Sequence, residues 1–342
     1  MSLKILYVDA LSSPQARTNV RGIFSAYDKV GRVTRFDYRK LCRYFGPYLM
    51  NFLLYLVART KKPDLIHLGK CESIRGETIS NIKKAIDCKV IHFYGDFRDK
   101  PRRHVIDIGK YADITLLYHK DPEIVKQYKE LGVKNIGFWW VGTNPEVYHP
   151  VDTPQEYDVV FFANNSDFLP GHEQRRQLIK SIADNGIEIH LFGNNWEIFS
   201  DYPRVFLHDF VVEEEFAKAC SKAKITLGYN AVNDVYFYAS WRRPLNCMAC
   251  ETFHLTRYFP GLEEVFVNKK HLVWFHTIPE AVELIKYYLR HTKESRVIAR
   301  EGRREVVERH TWEHRIKEMI EIYNKLKNFN DEQDVQAALT EV

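Results

Sequence analysis

Short runs of β-branched and aromatic residues alternate along this chain with longer stretches of helical spacing. In the first half, Lys4–Val8, Val33–Asp37, Leu65–Leu68, Val90–Tyr94, Ile114–Tyr118 and Ile136–Trp139 read as strands. Helical patterns such as Arg75–Ile86 and Pro122–Leu131 lie between them. Runs like Val90–Tyr94 (VIHFY) suit strands buried on both faces, and the alternation with helices predicts parallel sheets with helical crossovers. The pattern breaks at the turn-prone Gly142–Pro145 and His149–Pro154, which reads as a linker. It then restarts with strand Asp158–Phe162, helix Glu173–Asn185, strand Glu188–Phe192, helix Glu213–Ala223 and strand Ile225–Gly228, and a short strand-like step follows at Phe253–Thr256. The expected fold class is therefore α/β in two lobes joined near residue 150. No short-period repeat interrupts it, and the polar end from Asn328 to Val342 is expected to fray.

The 342 residues and an apolar share of 45% suffice for two cores. A net charge of +5 suits an anionic ligand such as a diphosphate but falls short of the basic stripe of an obligate nucleic-acid binder. Six scattered cysteines lack the paired spacing of a disulfide scaffold, and no signal-peptide core precedes the first strand, so a reducing, cytoplasmic setting is expected. The most apolar run, Tyr48–Ala58, is too short to span a bilayer. A core helix is expected there; the alternative, a peripheral membrane contact, draws on the flanking Arg39, Lys40, Arg43, Arg59, Lys61 and Lys62.

In open parallel sheets ligands sit beyond the carboxyl ends of strands. That points to Asp9–Ser13, Gly69–Glu72, Gly95–Asp99, Asn164–Asp167, Gly193–Trp196 and Asn230–Asp234, although such loops need Asp, Asn, Ser and Gly for turns in any case. Neither a P-loop nor a G-x-G-x-x-G follows the first strand. Cys247-Met248-Ala249-Cys250 spells C-x-x-C within an apolar stretch and reads as buried structure rather than a redox pair. His310-Thr311-Trp312-Glu313-His314 spells H-x-x-E-H, but Thr311 reads as the cap of a last helix, which takes His310 off it; no metal site is expected. Asp96 and Asp99, emerging with Arg98 after a strand, can orient or deprotonate a sugar hydroxyl, or simply form a salt-bridged turn. Arg242 and Arg243 are suited to phosphate oxygens, or to an exposed helix start. The stretch Glu251–Thr256 can offer backbone N–H groups to a phosphate. After Pro260-Gly261, Glu263 or Glu264 can accept from two ribose hydroxyls, or merely complement a helix N-terminus.

The stretches YASWRR (238–243), MACETFHLTRYFPGLEEVF (248–266), LVWFHTIPEAVELIKYYL (272–289) and AREGRREVVERHTWEHR (299–315) resemble the C-terminal lobe of GT-B glycosyltransferases. The likeness is greatest to the spore-maturation-protein-like, group 1 branch related to family 4. A weaker resemblance runs through IHFYGDFRD (91–99), YADITLLYH (111–119) and residues 127–150. It implies two Rossmann-like lobes with a cleft between them. Residues 1–150 would face the acceptor, 151–311 would hold the nucleotide sugar, helix 312–330 would return to the first lobe, and 331–342 would be a tail. Two glutamates usual in the family fall here on Tyr238 and Asn246, and a usual glycine falls on Glu251. The implied activity is metal-independent transfer of a sugar from a nucleoside diphosphate sugar to an acceptor hydroxyl, with retention of configuration. No cofactor beyond that donor is implied. Asp96, Asp99, Arg242 and Arg243 are the catalytic candidates. Asn165, Asn194, Asn195, Asn230, Asp234, Tyr238, Thr256, Glu263 and Glu264 are the donor-binding candidates. The alternatives are a non-catalytic sugar- or nucleotide-binding descendant and a transferase acting on nucleic acid through Arg98, Lys100, Arg102, Arg103 and His104.

Overall fold

The structure is a computed structural model that describes residues 2–12, 14–96, 100–166, 171–230 and 242–328, with backbone alone for 14–20. It divides into two compact units. The first runs to Trp140 and takes in the segment from Trp312; the second is Val141–Thr311. The division falls ahead of the Pro-rich stretch because Thr143 is already fastened into the second unit. Its N–H donates to His310 O (3.0 Å) and its hydroxyl donates to Asn246 Oδ1 (2.7 Å).

Unit 1 is built on β1 (Leu3–Asp9), β2 (Gly31–Asp37), β3 (Leu65–Leu68), β4 (Lys89–Tyr94), β5 (Ile114–Leu117) and β6 (Ile136–Phe138). They form one sheet in the order β2-β1-β3-β4-β5-β6, every pair parallel. Its helices are α1 (Pro14–Asp28), α2 (Tyr38–Lys61), α3 (Gly76–Ala85), α4 (Arg103–Gly109) and α5 (Pro122–Glu130). Local chemistry sets their starts. Asp37 caps α2 by accepting from Lys40 N, and Asp121 caps α5 ahead of a proline whose missing N–H costs nothing there. Leu6, Val8, Leu54, Ile66, Ile79 and Val90 are central to the core.

Unit 2 repeats the plan with β7 (Tyr157–Phe162), β8 (Ile189–Phe192), β9 (Val205–His208), β10 (Ala223–Gly228), β11 (Phe253–Arg257) and β12 (Val273–Phe275). The order is β12-β11-β10-β7-β8-β9, again wholly parallel. Around it lie α6 (Gly171–Asp184), α7 (Glu213–Ser221), α8 (Arg242–Ala249), α9 (Ile278–Arg290) and α10 (Thr292–Arg309). Val159, Ile179, Leu191, Leu255 and Ile285 anchor its core. The last helix, α11 (Trp312–Asn328), packs within unit 1. Trp139 Nε1 donates to Arg315 O there (3.0 Å), and Gly22 lets the Trp312 ring approach so closely that a Cβ would lie 2.2 Å from it.

The two-sheet α/β architecture is the one expected from the alternation. β9 and β12 go beyond the strands expected above. The apolar run Tyr48–Ala58 is a helix that enters the unit 1 core along one side only. Met50, Leu54 and Ala58 are buried, while Tyr48, Leu49, Phe52 and Leu56 are exposed. Cys247 and Cys250 are buried as expected, and all six cysteines are free thiols.

Candidate functional site

Each sheet has one place where the strand order reverses: between β7 and β10 in unit 2, and between β1 and β3 in unit 1. Diverging loops leave a crevice at such a reversal.

In unit 2 the loop after β7 is knitted to the loop after β8, the next strand over from the reversal. Asn165 N–H donates to Asn194 O (3.0 Å), Asn194 N–H donates to Asn164 Oδ1 (2.9 Å), and Asn195 Nδ2 donates to Asn165 O (3.3 Å). The close approach needs Gly193, whose φ is 154° and where a Cβ would stand 2.0 Å from Ala163 O. Asn165 is buried, whereas Asn194 and Asn195 are exposed. Arginines converge on the same strand ends. Arg243, in the first turn of α8, donates to Phe162 O at the end of β7 (2.7 Å). Arg175 donates to Tyr229 O just past β10 (2.9 Å), and Arg176 donates to Asn165 Oδ1 (3.1 Å). Asn230 follows Tyr229 and is buried; Arg242 opens α8 half-buried. A carbonyl positions a guanidinium without cancelling its charge, whereas the Glu173 carboxylate, 2.7 Å from Arg176, offsets that one.

The remaining donor candidates are placed less favourably. Thr256 is buried in β11, which is paired on both sides, and a Cβ on neighbouring Gly228 would fall 2.5 Å from its hydroxyl. The run of N–H groups expected over Glu251–Thr256 does not form. Thr252 N–H donates to Cys247 O, its hydroxyl donates to Cys220 O, and the rest is strand. Glu263 and Glu264 are exposed in a 3₁₀ turn beyond β11, and Glu263 accepts from Tyr258 O–H (3.1 Å). Asn246 is buried with its amide oxygen taken by Thr143. Glu251 adopts φ 57° as the chain leaves α8, a position that favours glycine. Asp99, Asp234 and Tyr238 lie outside the described residues.

In unit 1 the strand ends carry an ionic network. Lys70 contacts Asp96 (2.6 Å) and Glu72 (3.2 Å), Arg39 reaches Glu72 (2.8 Å), and Tyr38 O–H donates to Glu72 as well. Burial alone would raise the Glu72 carboxyl, but the hydrogen bonds from Tyr38 and Arg39 and the Lys70 ammonium outweigh it and hold it near about 2. At the β1/β3 reversal, Asp9 accepts from Tyr7 O–H (2.9 Å) and from Ala10 N–H (2.8 Å). Burial pushes its carboxyl up despite those bonds. Deeper in the sheet, burial pushes the imidazoles of His67 and His92 down to about 3.

Of the sequence candidates, the structure places Asn165, Asn230 and Arg243 at the ends of the strands that flank the unit 2 reversal, ties Asn194 and Asn195 to the Asn164–Asn165 loop from the neighbouring β8, and places Asp96 in the unit 1 network. Arg175, Arg176, Lys70, Glu72, Arg39 and Asp9 were not singled out individually. The arginines had one signal: two bases in the first turns of α6 run against the helix dipole, so something else must hold them there. Among the described residues no group of three or more His, Cys, Asp or Glu side chains is arranged to hold a metal ion.

Two wholly parallel six-stranded units of this kind define the GT-B class of glycosyltransferase fold. Residues 174–321 match the family described as Glycosyl transferase-like. A glycosyltransferase from Rickettsia africae ESF-5 superposes with a TM-score of 0.67 at 12% identity, over 96% of this chain and 100% of that one. Sucrose-phosphate synthase from Thermosynechococcus elongatus gives 0.66 at 14%, over 95% and 99%. HepE from Anabaena, in complex with UDP and glucose, gives 0.65 at 12%, over 93% and 99%. At such identities the likeness is one of fold. A search of curated proteins found no match.

Proposed function

We propose that this protein transfers a sugar from a nucleoside diphosphate sugar to an acceptor hydroxyl, with unit 2 holding the donor and unit 1 the acceptor. The observation that carries the reading is Arg243, held by Phe162 O at the β7/β10 reversal. As the glycosidic bond to the diphosphate breaks, negative charge grows on the departing oxygens. A guanidinium already fixed there stabilises that charge more in the transition state than in the ground state, without reorganisation. Arg242 adds a second cation, and the knitted Asn165, Asn194 and Asn195 offer amide donors and acceptors to sugar or base. With cations in this role the reaction needs no metal at the diphosphate. Support comes from the Glycosyl transferase-like match over 174–321 and from the bound UDP of a structure sharing the fold.

On the acceptor side, Asp96 is the base candidate, positioned by Lys70. A glycan acceptor, a role in surface polysaccharide synthesis, retention of configuration and kinship to the spore-maturation-protein-like branch are our finer readings. They rest on the sequence resemblance.

A thermal-shift screen against UDP, GDP, ADP, dTDP and their sugars tests the reading, because a ligand bound only by the folded state raises Tm. At least one should do so, and the cognate sugar nucleotide should be consumed in the presence of acceptor. No shift with any of them at high concentration would end the proposal. A second reading, a non-catalytic binding descendant, is favoured by Asn246, whose amide oxygen is spent on Thr143 where the family's usual carboxylate would stand. Binding without transfer or hydrolysis would select it.

A further inference from the structure

Helix α2 carries a face that the fold does not use. Of the sixteen large hydrophobic residues exposed among the described residues, six lie on α2, which is broken at Gly46 (φ 74°): Tyr44 and Phe45 precede the break, and Tyr48, Leu49, Phe52 and Leu56 follow it. They are strongly exposed, at 68% for Tyr44, 72% for Tyr48 and 54% for Phe52. At about 100° per residue, Tyr48, Leu49, Phe52 and Leu56 fall within an arc of roughly 100°, and Met50, Leu54 and Ala58 point the other way into the core.

The charges on the same helix have one sign. Arg39, Lys40, Arg43, Arg59 and Lys61 are its only ionisable charges at neutral pH, and it contains no Asp or Glu. Lys62 follows directly. Arg75 stacks over the Tyr48 ring at 4.1 Å, and a cavity of about 540 Å³ beside it is lined by Tyr48, Phe52, Tyr55, Arg75, Glu77 and Lys84 among others. The acids nearby are few: Asp37 caps the helix, Glu72 is engaged by Arg39 and Lys70, and Glu77 lines the cavity.

We propose that this face of α2 docks on the surface of an anionic lipid bilayer. Exposed aromatic and leucine side chains, with bases on the short segment before the Gly46 break and at the end of the helix after it, fit the headgroup–acyl boundary, where aromatic rings bury and cations meet lipid phosphates. No described helix is long and apolar enough to cross a membrane, so the helix lies on the bilayer rather than spanning it. A second copy of the chain is the poorer occupant, because two such faces would bring like charges together. The proposal goes beyond the transferase reading and does not depend on it.

The test is cosedimentation of the full chain with vesicles of phosphatidylcholine, with and without phosphatidylglycerol, in the absence of nucleotide. Binding should require the anionic lipid and weaken as salt rises. It should fall at least about tenfold in Tyr48→Ser/Phe52→Ser and in Arg43→Glu/Arg59→Glu, with Tm unchanged in both because these side chains are exposed. Absence of binding to anionic vesicles at low salt would overturn the proposal. So would variants that bind like the parent chain. Light scattering that shows a dimer abolished by Phe52→Ser, without vesicle binding, would give the face to a second copy instead.

Discussion

The two strand-end surfaces hold their cations differently. In unit 2, Arg243 and Arg175 donate to the backbone carbonyls of Phe162 and Tyr229, and Arg176 is shared between the amide of Asn165 and the carboxylate of Glu173. In unit 1, Lys70 and Arg39 are held by the carboxylates of Glu72 and Asp96. A carbonyl positions a cation and leaves its field intact, whereas a carboxylate largely cancels it. The first arrangement suits a ligand that brings its own negative charge. The second suits a neutral hydroxyl that needs an oriented base. Near-identical sheets thus acquire different chemistry from the acceptors at their carboxyl ends.

The largest expected effect separates the two. Arg243→Ala should lower kcat for sugar transfer by roughly 10²–10³, the usual loss for one donor aimed at developing charge, and leave the acceptor KM nearly unchanged. Steady-state kinetics with each substrate varied in turn checks it; a purely acceptor-side defect would break the assignment. Lys70→Met should act the other way. It removes the cation between Asp96 and Glu72, and should reduce kcat/KM for acceptor by about tenfold with donor affinity preserved.

Acid should sharpen the contrast through stability. Burial depresses His67 and His92 to about 3 and His119 to about 4 in unit 1, and His190 to about 4 in unit 2. The unfolded chain takes up protons near pH 6.5 that these buried rings refuse, so their contribution is complete above about pH 6.5 and is lost as pH falls toward their folded values. The Glu72 carboxyl, depressed to about 2, adds a further loss below roughly pH 4.3. Unit 1, with more of the depressed imidazoles, should lose more stability than unit 2 as pH is lowered from 7 to 5 in a calorimetric series. A Tm that rises over that range would contradict the assignment. The smallest effect belongs to Glu251→Gly. Releasing a non-glycine residue from φ 57° should stabilise by about 0.5–1 kcal/mol, offset slightly by the loose Arg303 contact at 3.8 Å. Chemical denaturation measures it.

Much of the architecture is legible in the sequence for one physical reason. A strand buried on both faces is rich in apolar and β-branched residues, and so Val90–Tyr94 and Ile225–Gly228 announce themselves even with His92 and Thr226 inside them. β9 is half exposed at a sheet edge and β12 has only three residues, and neither sends that signal. The run Tyr48–Ala58 misleads because local apolarity does not say whether both sides of a helix find partners; only tertiary packing shows that one side does not. Arg243 is readable as a phosphate-type residue, but its seat on Phe162 O spans 81 positions in sequence and leaves no local trace. The same is true of the Lys70–Asp96 pair. Thr256 shows the converse: a polar residue just past a helix looks available until the strands on either side of it are known.

The most direct test of the account is calorimetric titration of the parent chain and Arg243→Ala with the best-binding nucleoside diphosphate and with its parent nucleoside. A lost charge-assisted hydrogen bond of about 1.5–3 kcal/mol predicts that diphosphate affinity falls roughly 10–150-fold while nucleoside affinity holds. Equal losses for both ligands would contradict a diphosphate seat at Arg243, and so would an unchanged diphosphate affinity.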